Sequence, residues 1–582
     1  MADQLIHFGK LSLVYENGFV RYIRAGEIEI VRMIYFALRD SNWITAEFVR
    51  SDERMSVTHK GFDVSYTATN IVDSKAVFRW HVKISGNDSG EIEFSVDGEA
   101  LASYTRNRAG ICVLHPIRDT RDKVVKIVRP DGSVYESKFP SVIEPHQPFF
   151  DITKMTWQLR GDSWAEIQFE GDVFETEDQR NWSDTSFKTY STPLAIPYPV
   201  TLKPGDRVSQ KVRLKVINPE GLPSSDFSED IEVVIDESSS KPFPKIGVDF
   251  PGYTDLTREE IDLLKALTFD HLRIEVVLSS PGWKEQLKAG LEEAKLISAD
   301  PFVHLILSDN VESEWKEFVG ALSTGDAGSI KKLALSPLDR KANVDDLLLA
   351  VSMSAQSLFP KATFGAGFTS YFTELNRNRF DYSKVDFVIY SLNPQVHATD
   401  SHTIIENLPA QKDAVESAHL LATGKKVDVG PVSIKPRFNP DAKSGTKENS
   451  TYRFDARQST TMVAGWALAS IKYLSEGGAD SITLFESHGM AGYFLNHQRI
   501  FPVYNALLSL VKLNPVRVIT SVCNEPLVVS SLVIETENSK RHLFLINHTD
   551  SKKTVSVGDD LHTLADHELK IIPQVKVIPL YK

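Results

Sequence analysis

The chain reads Lys245-Ile-Gly-Val-Asp-Phe250, then Thr257-Arg-Glu-Glu-Ile-Asp-Leu-Leu-Lys-Ala-Leu267, then His271-Leu-Arg-Ile-Glu-Val-Val277. Two short apolar runs on either side of an amphipathic segment predict two β-strands separated by a helix, which is the repeating unit of parallel sheets. Thr257 and Glu260 also form the Thr-x-x-Glu pattern that caps the start of a helix. This β-α-β unit indicates the class of fold that follows.

The same alternation continues for about 270 residues, which is the usual size of a (β/α)8 barrel. Six further apolar runs lie at 302–307, 332–336, 363–367, 386–390, 426–430 and 481–485. Together with the first two runs they make eight predicted strands, most of them followed by amphipathic helices. The sequence therefore predicts a central (β/α)8 TIM barrel over residues 245–515.

The regions on both sides of the barrel show a period of two residues instead. Runs such as 76–82 and 209–216 alternate polar and apolar side chains, which predicts antiparallel sheets with one buried face. Residues 1–235 are predicted to form a β-sandwich domain and 516–582 a small C-terminal β domain, with its last strand at 574–579. The polar, proline-bearing segment 236–244 is predicted to be a linker.

Composition limits the kinds of partner that the protein is expected to have. The 582 residues carry a net charge of −13 without a basic tract, so neither nucleic acid nor a membrane surface is an expected partner. No apolar run approaches ~18 residues and no secretory signal is present, which favours a cytoplasmic protein. Cys112 and Cys523 offer neither a disulfide framework nor metal-ligand spacing, and no metal or cofactor is expected. The sequence does not indicate the oligomeric state.

One loop concentrates side chains that suit a polar ligand. It reads Glu177-Asp-Gln-Arg-Asn-Trp-Ser-Asp-Thr-Ser-Phe-Lys-Thr-Tyr190. Aromatic side chains can pack on a sugar ring while polar neighbours hold its hydroxyl groups. The alternative is a turn-rich connection with an internal salt bridge. The candidate ligand contacts in this loop are Arg180, Asn181, Trp182, Asp184, Lys188 and Tyr190.

The barrel directs attention to the segments after its strands, because active sites of this fold lie at the carboxyl ends. The candidates there are Tyr371, Glu374 and Asn376 after strand five, Asn393 and His397 after strand six, Arg437 after strand seven, and Glu486 and His488 after strand eight. A buried carboxylate can act as an acid and an ionised one as a base or nucleophile. An ion pair with Arg377 or Arg379 is the alternative for Glu374, and a packed or surface position is the alternative for each histidine.

Four of these segments resemble the D-apionate lactonase family. They are the loop 177–190, Tyr371-Phe-Thr-Glu-Leu-Asn-Arg-Asn-Arg379, Asn393-Pro-Gln-Val-His397 and Phe485-Glu-Ser-His-Gly489. That family also has an N-terminal β domain, a TIM barrel and a C-terminal β domain, so the resemblance covers the whole chain. It implies hydrolysis of D-apionolactone, a five-membered sugar lactone, to D-apionate in apiose catabolism.

Opening a lactone needs an activated water, donors for the developing oxyanion and an acid for the leaving alkoxide. Under this hypothesis a carboxylate, Glu374 or Glu486, or a histidine activates water, and Arg437, Lys188 or His488 stabilises the oxyanion. The hydroxyl groups of the ring are assigned to Asn181, Asp184, Asn393 and His397, and the ring face to Trp182 or Tyr190. The loop 177–190 is then expected to close one side of the pocket at the carboxyl end of the barrel.

Two other functions fit the same pattern. One is a glycoside hydrolase that uses the pair Glu374 and Glu486. In the largest clan of barrel glycosidases, however, the two carboxylates follow strands four and seven, whereas here they follow predicted strands five and eight. The other is a sugar-binding protein without catalytic activity, because fold alone does not separate these functions.

Overall fold

The computed structural model describes residues 4–223, 230–438 and 454–574. They form two compact units, one containing the N-terminal strands and the other containing the barrel and the C-terminal strands. Residues 180–184, at the tip of the loop between two N-terminal strands, belong to the barrel's unit. Cys112 and Cys523 are buried free thiols. No helix in the described ranges combines the length and apolar character needed to cross a bilayer.

The N-terminal unit is a β-sandwich, as predicted. Its strands are β1 (Gln4–Phe8), β2 (Leu11–Glu16), β3 (Phe19–Ala25), β4 (Ile28–Asp40), β5 (Phe48–Thr58), β6 (Gly61–Val72), β7 (Lys75–Asn87), β8 (Glu91–Ala100), β9 (Tyr104–Pro116), β10 (Val124–Val128), β11 (Val134–Lys138), β12 (Phe149–Ile152), β13 (Lys154–Arg160), β14 (Ser163–Glu170), β15 (Phe174–Asp178), β16 (Ser186–Tyr190), β17 (Val200–Leu202) and β18 (Arg207–Ile217). One short helix, α1 (Ile117–Thr120), follows β9.

These strands make two nine-stranded sheets. The first has the order β1-β2-β3-β4-β9-β16-β15-β12, with β17 beside β9, and the second has the order β11-β10-β13-β14-β18-β8-β7-β6-β5. Apolar side chains of both sheets pack between them, as in the contact of Phe36 with Trp80, whose ring centroids are 5.0 Å apart. The period of two explains this arrangement, because in β8 the side chains of Ile92, Phe94 and Val96 are buried while their neighbours are partly exposed.

The barrel is closed, and it has the predicted number of strands. They are β20 (Lys245–Asp249), β21 (His271–Val277), β22 (Asp300–Leu307), β23 (Lys332–Pro337), β24 (Thr363–Gly367), β25 (Phe387–Leu392), β26 (Lys426–Val432) and β27 (Ser481–Glu486), and β27 pairs with β20 to close the ring. Glu374 therefore follows the fifth barrel strand and Glu486 ends the eighth, as the sequence indicated. The barrel interior at the amino end is filled by Phe302, Phe387 and an ion pair of Lys332 with Asp428.

Helices surround the barrel. They are α2 (Arg258–Ala266), α3 (Trp283–Ile297), α4 (Val311–Ala321), α5 (Thr324–Ser329), α6 (Val344–Leu358), α7 (Phe372–Arg377), α8 (Ser401–Glu406), α9 (Leu408–Leu421), α10 (Thr461–Gly477) and α11 (Pro502–Val511). Helix α2 begins with the predicted capping box, in which Thr257 and Glu260 each accept a hydrogen bond from the other's backbone N–H. A two-stranded sheet of β28 (Phe494–Asn496) and β29 (Arg499–Ile500) lies between β27 and α11.

A seven-stranded sheet follows the barrel, and it takes one strand from the segment before the barrel. Its strands are β19 (Ile231–Pro242), β30 (Pro515–Cys523), β31 (Val529–Thr536), β32 (Arg541–Asn547), β33 (Lys553–Val557), β34 (Asp560–Leu564) and β35 (Leu569–Pro573), in the order β34-β33-β19-β30-β31-β32-β35. Residues 236–242 are therefore strand and not linker, because they pair with β30 and continue the strand whose Ile231, Val233 and Ile235 are buried in the core of this sheet. The strand predicted at 574–579 lies outside the described residues except for its first residue.

Candidate active site at the carboxyl end of the barrel

A network of charged side chains occupies the barrel interior near its carboxyl end. Arg273 is fully buried and donates to Asp249 Oδ1 at 2.8 Å, contacts the carboxylate of Glu275, and lies 2.7 Å from His304 Nδ1. Arg437 donates to both oxygens of Glu275, at 3.1 and 3.0 Å. Burial opposes ionisation of Glu275, but Arg437 and Arg273 together hold the pKa of this carboxyl well below its usual range. Burial raises the pKa of Asp249 despite its contact with Arg273.

A narrow recess opens between the ends of barrel strands five, six and seven. It is lined by Thr369, Ser370, Tyr371, Ser391, Leu392, Asn393, Ser433, Arg437 and Phe438. The lining combines hydroxyl groups, an amide, a guanidinium group and two aromatic rings, which are groups that can contact a polyhydroxylated ligand, but its cavity volume of about 10 Å³ does not enclose one. Three of the residues that the sequence suggested, Tyr371, Asn393 and Arg437, lie here together.

Glu374 adjoins this recess through Ser370. It lies in the first turn of α7 and is 5% exposed, and Arg340, from the segment after strand four, donates to its Oε1 at 3.2 Å. Its Oε2 is buried without a hydrogen-bond partner in the described ranges. Burial raises the pKa of Glu374, and Ser370 and Arg340 offset this only in part. A buried carboxyl group with a raised pKa is a candidate for proton transfer.

The loop tip 180–184 packs against α7. Thr373 Oγ1 donates to the backbone oxygen of Asn181 at 2.7 Å, and Asn376 Nδ2 donates to Asn181 Oδ1 at 2.9 Å. The indole ring of Trp182 contacts the ring of Tyr371 edge-on, with 5.7 Å between the centroids. Arg180 is fully buried and donates to Asp413 Oδ2 on α9 at 3.1 Å. Within the barrel's unit the tip thus lies beside the helix that carries Glu374.

Asp184 and His397 form a close pair at the same tip. Asp184 Oδ2 lies 2.6 Å from His397 Nδ1, and Asn407 Nδ2 donates to Asp184 Oδ1 at 3.0 Å. Trp182 contacts the imidazole ring edge-on at 6.2 Å. A buried carboxylate on one ring nitrogen fixes the orientation of a histidine and leaves the other nitrogen for proton transfer.

Strand eight ends in an unusual backbone conformation. Phe485 has φ of 57°, in the left-handed region that bulky residues rarely adopt, and the pairing of β27 with β20 shifts register here, between Thr483 and Glu486. Such a bulge re-aims the following side chain, which is that of Glu486, a buried residue. Backbone strain of this kind is concentrated at functional sites.

A second buried carboxyl group, that of Glu293 on α3, contacts the residues that follow strand eight. Ser487 Oγ donates to Glu293 Oε1 at 2.6 Å and lies 2.9 Å from His488 Nδ1. The side chain of Glu293, on α3, is fully buried, and burial raises the pKa of this carboxyl to about 7. Burial also lowers the pKa of His488, with Asp255 opposing the shift. The neutral forms of both groups are therefore favoured.

We expect Glu293 to make stability fall as the pH rises. Its folded-state pKa of about 7 exceeds its ordinary value of 4.5, so the folded protein binds more protons across that interval and loses about 3 kcal/mol of stability over it. Glu293→Gln keeps an acceptor for Ser487 and removes the titration. Urea unfolding at pH 5 and pH 8 should show a smaller difference in the free energy of unfolding for Glu293→Gln than for the wild-type protein. Glu292→Gln, at an exposed neighbouring position on α3, should show the same difference as the wild-type protein. Equal pH effects in all three proteins contradict the assignment.

Lys188 and Tyr190 lie in β16 of the N-terminal unit. Lys188 pairs with Glu177, and the hydroxyl group of Tyr190 donates to Glu175 Oε1 at 2.5 Å. An internal ion pair in the loop was the alternative that the sequence offered, and one is present. Ligand contact by Lys188 and Tyr190 stays a prediction.

Sequence reasoning did not select several residues of the site. Arg340 follows strand four, so it could have been found by the same reasoning as the other candidates, which lie in the segments after the barrel strands. Asn407 and Asp413 lie in or beside helices and carry no such signal, and Glu293 is an ordinary acidic residue on a helix. In the described ranges no group of three or more His, Cys, Asp and Glu side chains is arranged to hold a metal ion.

Comparisons with known proteins agree with the architecture. Residues 1–219 match the model of the D-apionate lactonase N-terminal domain, and residues 248–515 match that of the D-apionate lactonase TIM barrel domain. The D-apionate lactonase of Brucella anthropi is 29% identical over 509 residues, which cover 83% of this chain and 82% of that protein.

Solved glycosidase structures share only a distant likeness. A GH51 arabinofuranosidase from Xanthomonas axonopodis pv. citri has a TM-score of 0.41 and 9% identity, covering 56% of this chain and 87% of its own. A family 30 subfamily 8 xylanase from Clostridium acetobutylicum has a TM-score of 0.38 and 11% identity, covering 57% of this chain and 88% of its own. Likeness at this level does not bear on chemistry. The two domain models, by contrast, span most of the sequence, and the protein belongs to the D-apionate lactonase family.

Proposed function

We propose that this protein is a hydrolase that opens a sugar lactone, D-apionolactone, to D-apionate in apiose catabolism. The observation that carries the proposal is the family match over both the N-terminal and the barrel regions, at 29% identity to a named D-apionate lactonase. A relationship that spans the whole barrel includes the segments at its mouth, where the candidate residues lie. The cytoplasmic location stays a prediction.

The recess supports this chemistry. Water must attack the lactone carbonyl, and Glu374 is suited to accept its proton, because burial raises its pKa and Oε2 is free of hydrogen bonds in the described ranges. Arg437 lines the recess and, besides its pairing with Glu275, offers a guanidinium group to a developing oxyanion. Asn393 offers hydrogen bonds to ring hydroxyl groups, and Tyr371 offers an apolar face.

The strand count weighs against the glycosidase alternative. The closed barrel begins at β20, so Glu374 and Glu486 follow strands five and eight. Strands four and seven end in Ser336-Pro337 and Pro431-Val432. The exposed Asp339 follows strand four, whereas residues 433–438 after strand seven carry no carboxylate. Within the described residues, the pair of carboxylates used by the largest barrel clan therefore has no counterpart after strand seven.

A substrate panel tests the proposal. The purified protein is incubated with D-apionolactone, with other five-membered aldonolactones and with aryl glycosides, and acid release and phenol release are recorded. We expect acid release from D-apionolactone and no cleavage of the glycosides. Glycoside cleavage without lactone opening favours the glycosidase, and tight binding of a lactone without turnover favours a sugar-binding protein.

Glu486 is the alternative to Glu374 as the group that activates water, and in that role Glu486→Gln is expected to lower lactone turnover by about 100-fold, the lower end of the range for a group that transfers a proton. The substitution keeps the size of the side chain that the bulge at Phe485 directs, and it removes only the charge. Steady-state kinetics measure the loss, and thermal unfolding checks that the fold is kept. Glu416→Gln, an exposed carboxylate on α9, is the matched control. Full activity of Glu486→Gln excludes this residue from the reaction.

A further inference from the structure

We propose that His397 is the general acid of lactone opening and that Asp184, at the tip of the 177–190 loop, is the positioning residue that holds it. The sequence assigned these two side chains to the binding of substrate hydroxyl groups. This inference rests on the proposed function and assigns the proton donor that the function requires. It also gives the loop tip a chemical role at the carboxyl end of the barrel.

The contacts of Asp184 are those of a carboxylate that orients an imidazole. Asp184 is 4% exposed, its Oδ2 lies 2.6 Å from His397 Nδ1, and its Oδ1 accepts a hydrogen bond from Asn407 at 3.0 Å. Asn407 also donates to the backbone oxygen of Pro394, at 3.0 Å. Both carboxylate oxygens of Asp184 thus have a hydrogen-bond partner. The side-chain amide of Asn407 also links Asp184 to Pro394, in the segment that carries His397. Such a carboxylate selects the tautomer with the proton on Nδ1 and stabilises the imidazolium.

His397 keeps its second ring nitrogen for the reaction. With Nδ1 bound to Asp184, Nε2 is the nitrogen that remains, and it makes no hydrogen bond to another described residue. The side chain is 16% exposed, so it is neither sealed in the core nor fully open to water. Asn393, on the same segment, lines the recess, and Trp182 contacts both His397 and the recess residue Tyr371.

The loop tip is anchored more firmly than a connection requires. The buried ion pair of Arg180 with Asp413 holds one end, and Asn181 bonds to both Thr373 and Asn376 of α7. Burying charges has a desolvation cost that an ordinary surface loop does not bear. Catalytic groups, however, need neighbours that fix them within a fraction of an ångström. The anchoring places Asp184 in that way.

The proposed reaction balances as follows. Water oxygen bonds to the carbonyl carbon of the lactone while Glu374 takes one water proton, and a tetrahedral oxyanion forms. The bond between this carbon and the ring oxygen then breaks, the electron pair stays on the ring oxygen, and that oxygen takes the Nε2 proton of the His397 imidazolium. Glu374 returns its proton to solvent, and His397 is protonated from solvent. The net change is lactone plus water to hydroxy acid.

A substrate with a different leaving group distinguishes a general acid from a residue that binds substrate or activates water. A thiolactone has the shape of the lactone but releases a thiolate, whose pKa of about 8.5 makes protonation by the enzyme far less important. We expect His397→Gln to lower lactone turnover by about 100-fold or more and thiolactone turnover by less than about threefold. Asp184→Asn, which keeps the size of the side chain and an oxygen for Asn407, should show the same selectivity with a smaller loss. Both losses should appear in kcat more than in KM.

His402→Gln, an exposed histidine on α8, is the matched control and should leave both substrates unaffected. Equal losses on lactone and thiolactone in either variant overturn the inference, because they indicate substrate binding or water activation. Full lactone activity in His397→Gln overturns it as well. If His397→Gln does not fold, the selectivity of Asp184→Asn decides alone. Absence of lactone opening by the unchanged protein overturns the proposed function and, with it, this inference.

Discussion

Replacing Glu374 by glutamine is expected to lower lactone turnover by about 10²- to 10⁴-fold, the range for a lost general base. Glutamine has nearly the same shape, so Arg340 keeps an oxygen to which it donates, but the amide cannot take a proton from water. Steady-state kinetics with D-apionolactone measure the loss. Because burial raises the pKa of Glu374, the unchanged protein should also gain activity as the pH rises and this carboxyl ionises.

The control for this experiment is Glu317→Gln, a carboxylate on α4 that pairs with Lys284 at the protein surface. It should keep full turnover, and both variants should unfold at nearly the temperature of the unchanged protein. Substantial activity in Glu374→Gln means that another group activates the water. A large loss of thermal stability means that the substitution acts through folding, and the kinetic result then carries no mechanistic weight.

Replacing Arg273 by methionine is expected to destabilise the protein by about 3–5 kcal/mol, the range for a broken buried ion pair. The guanidinium group is fully buried and contacts Asp249, Glu275 and His304. Methionine fills much of the space but removes the positive charge. Glu275 then keeps Arg437 as a partner, whereas Asp249 loses the guanidinium group that donates to it. Urea unfolding measures the change.

Lys284→Met is the matched control for Arg273→Met, because the pair of Lys284 with Glu317 is about half exposed on both sides. Exposed pairs contribute about 1 kcal/mol or less. If Arg273→Met is no more destabilising than Lys284→Met, the charged network in the barrel interior does not depend on this arginine.

Local patterns explain why the barrel could be predicted. Each strand and helix of the barrel has its own periodicity, as in the run 271–277 and the capped helix α2, and the order of elements then determines the closed sheet. The strand β19 could not be recognised in the same way. Its residues 236–242 are polar, and they pair with β30 about 280 positions later, which no local pattern reveals.

The candidate site could be predicted only in part for a related reason. The position after each strand identified Glu374, Asn393, His397 and Glu486, because topology places such residues at one end of the barrel. The partners that define their chemistry come from elsewhere in the chain. Asp184 lies 213 positions before His397, and Arg340 lies 34 positions before Glu374.

The isotope content of the product tests the central claim most directly, namely that water attacks the lactone carbonyl. The protein is mixed with D-apionolactone in ¹⁸O-labelled water under single-turnover conditions, with less than one molecule of lactone opened per protein molecule. The acid is then analysed by mass spectrometry with fragmentation. The account predicts one ¹⁸O atom in the carboxylate of D-apionate and none in its hydroxyl groups. An ¹⁸O atom in a hydroxyl group, or no product above the rate without protein, contradicts it.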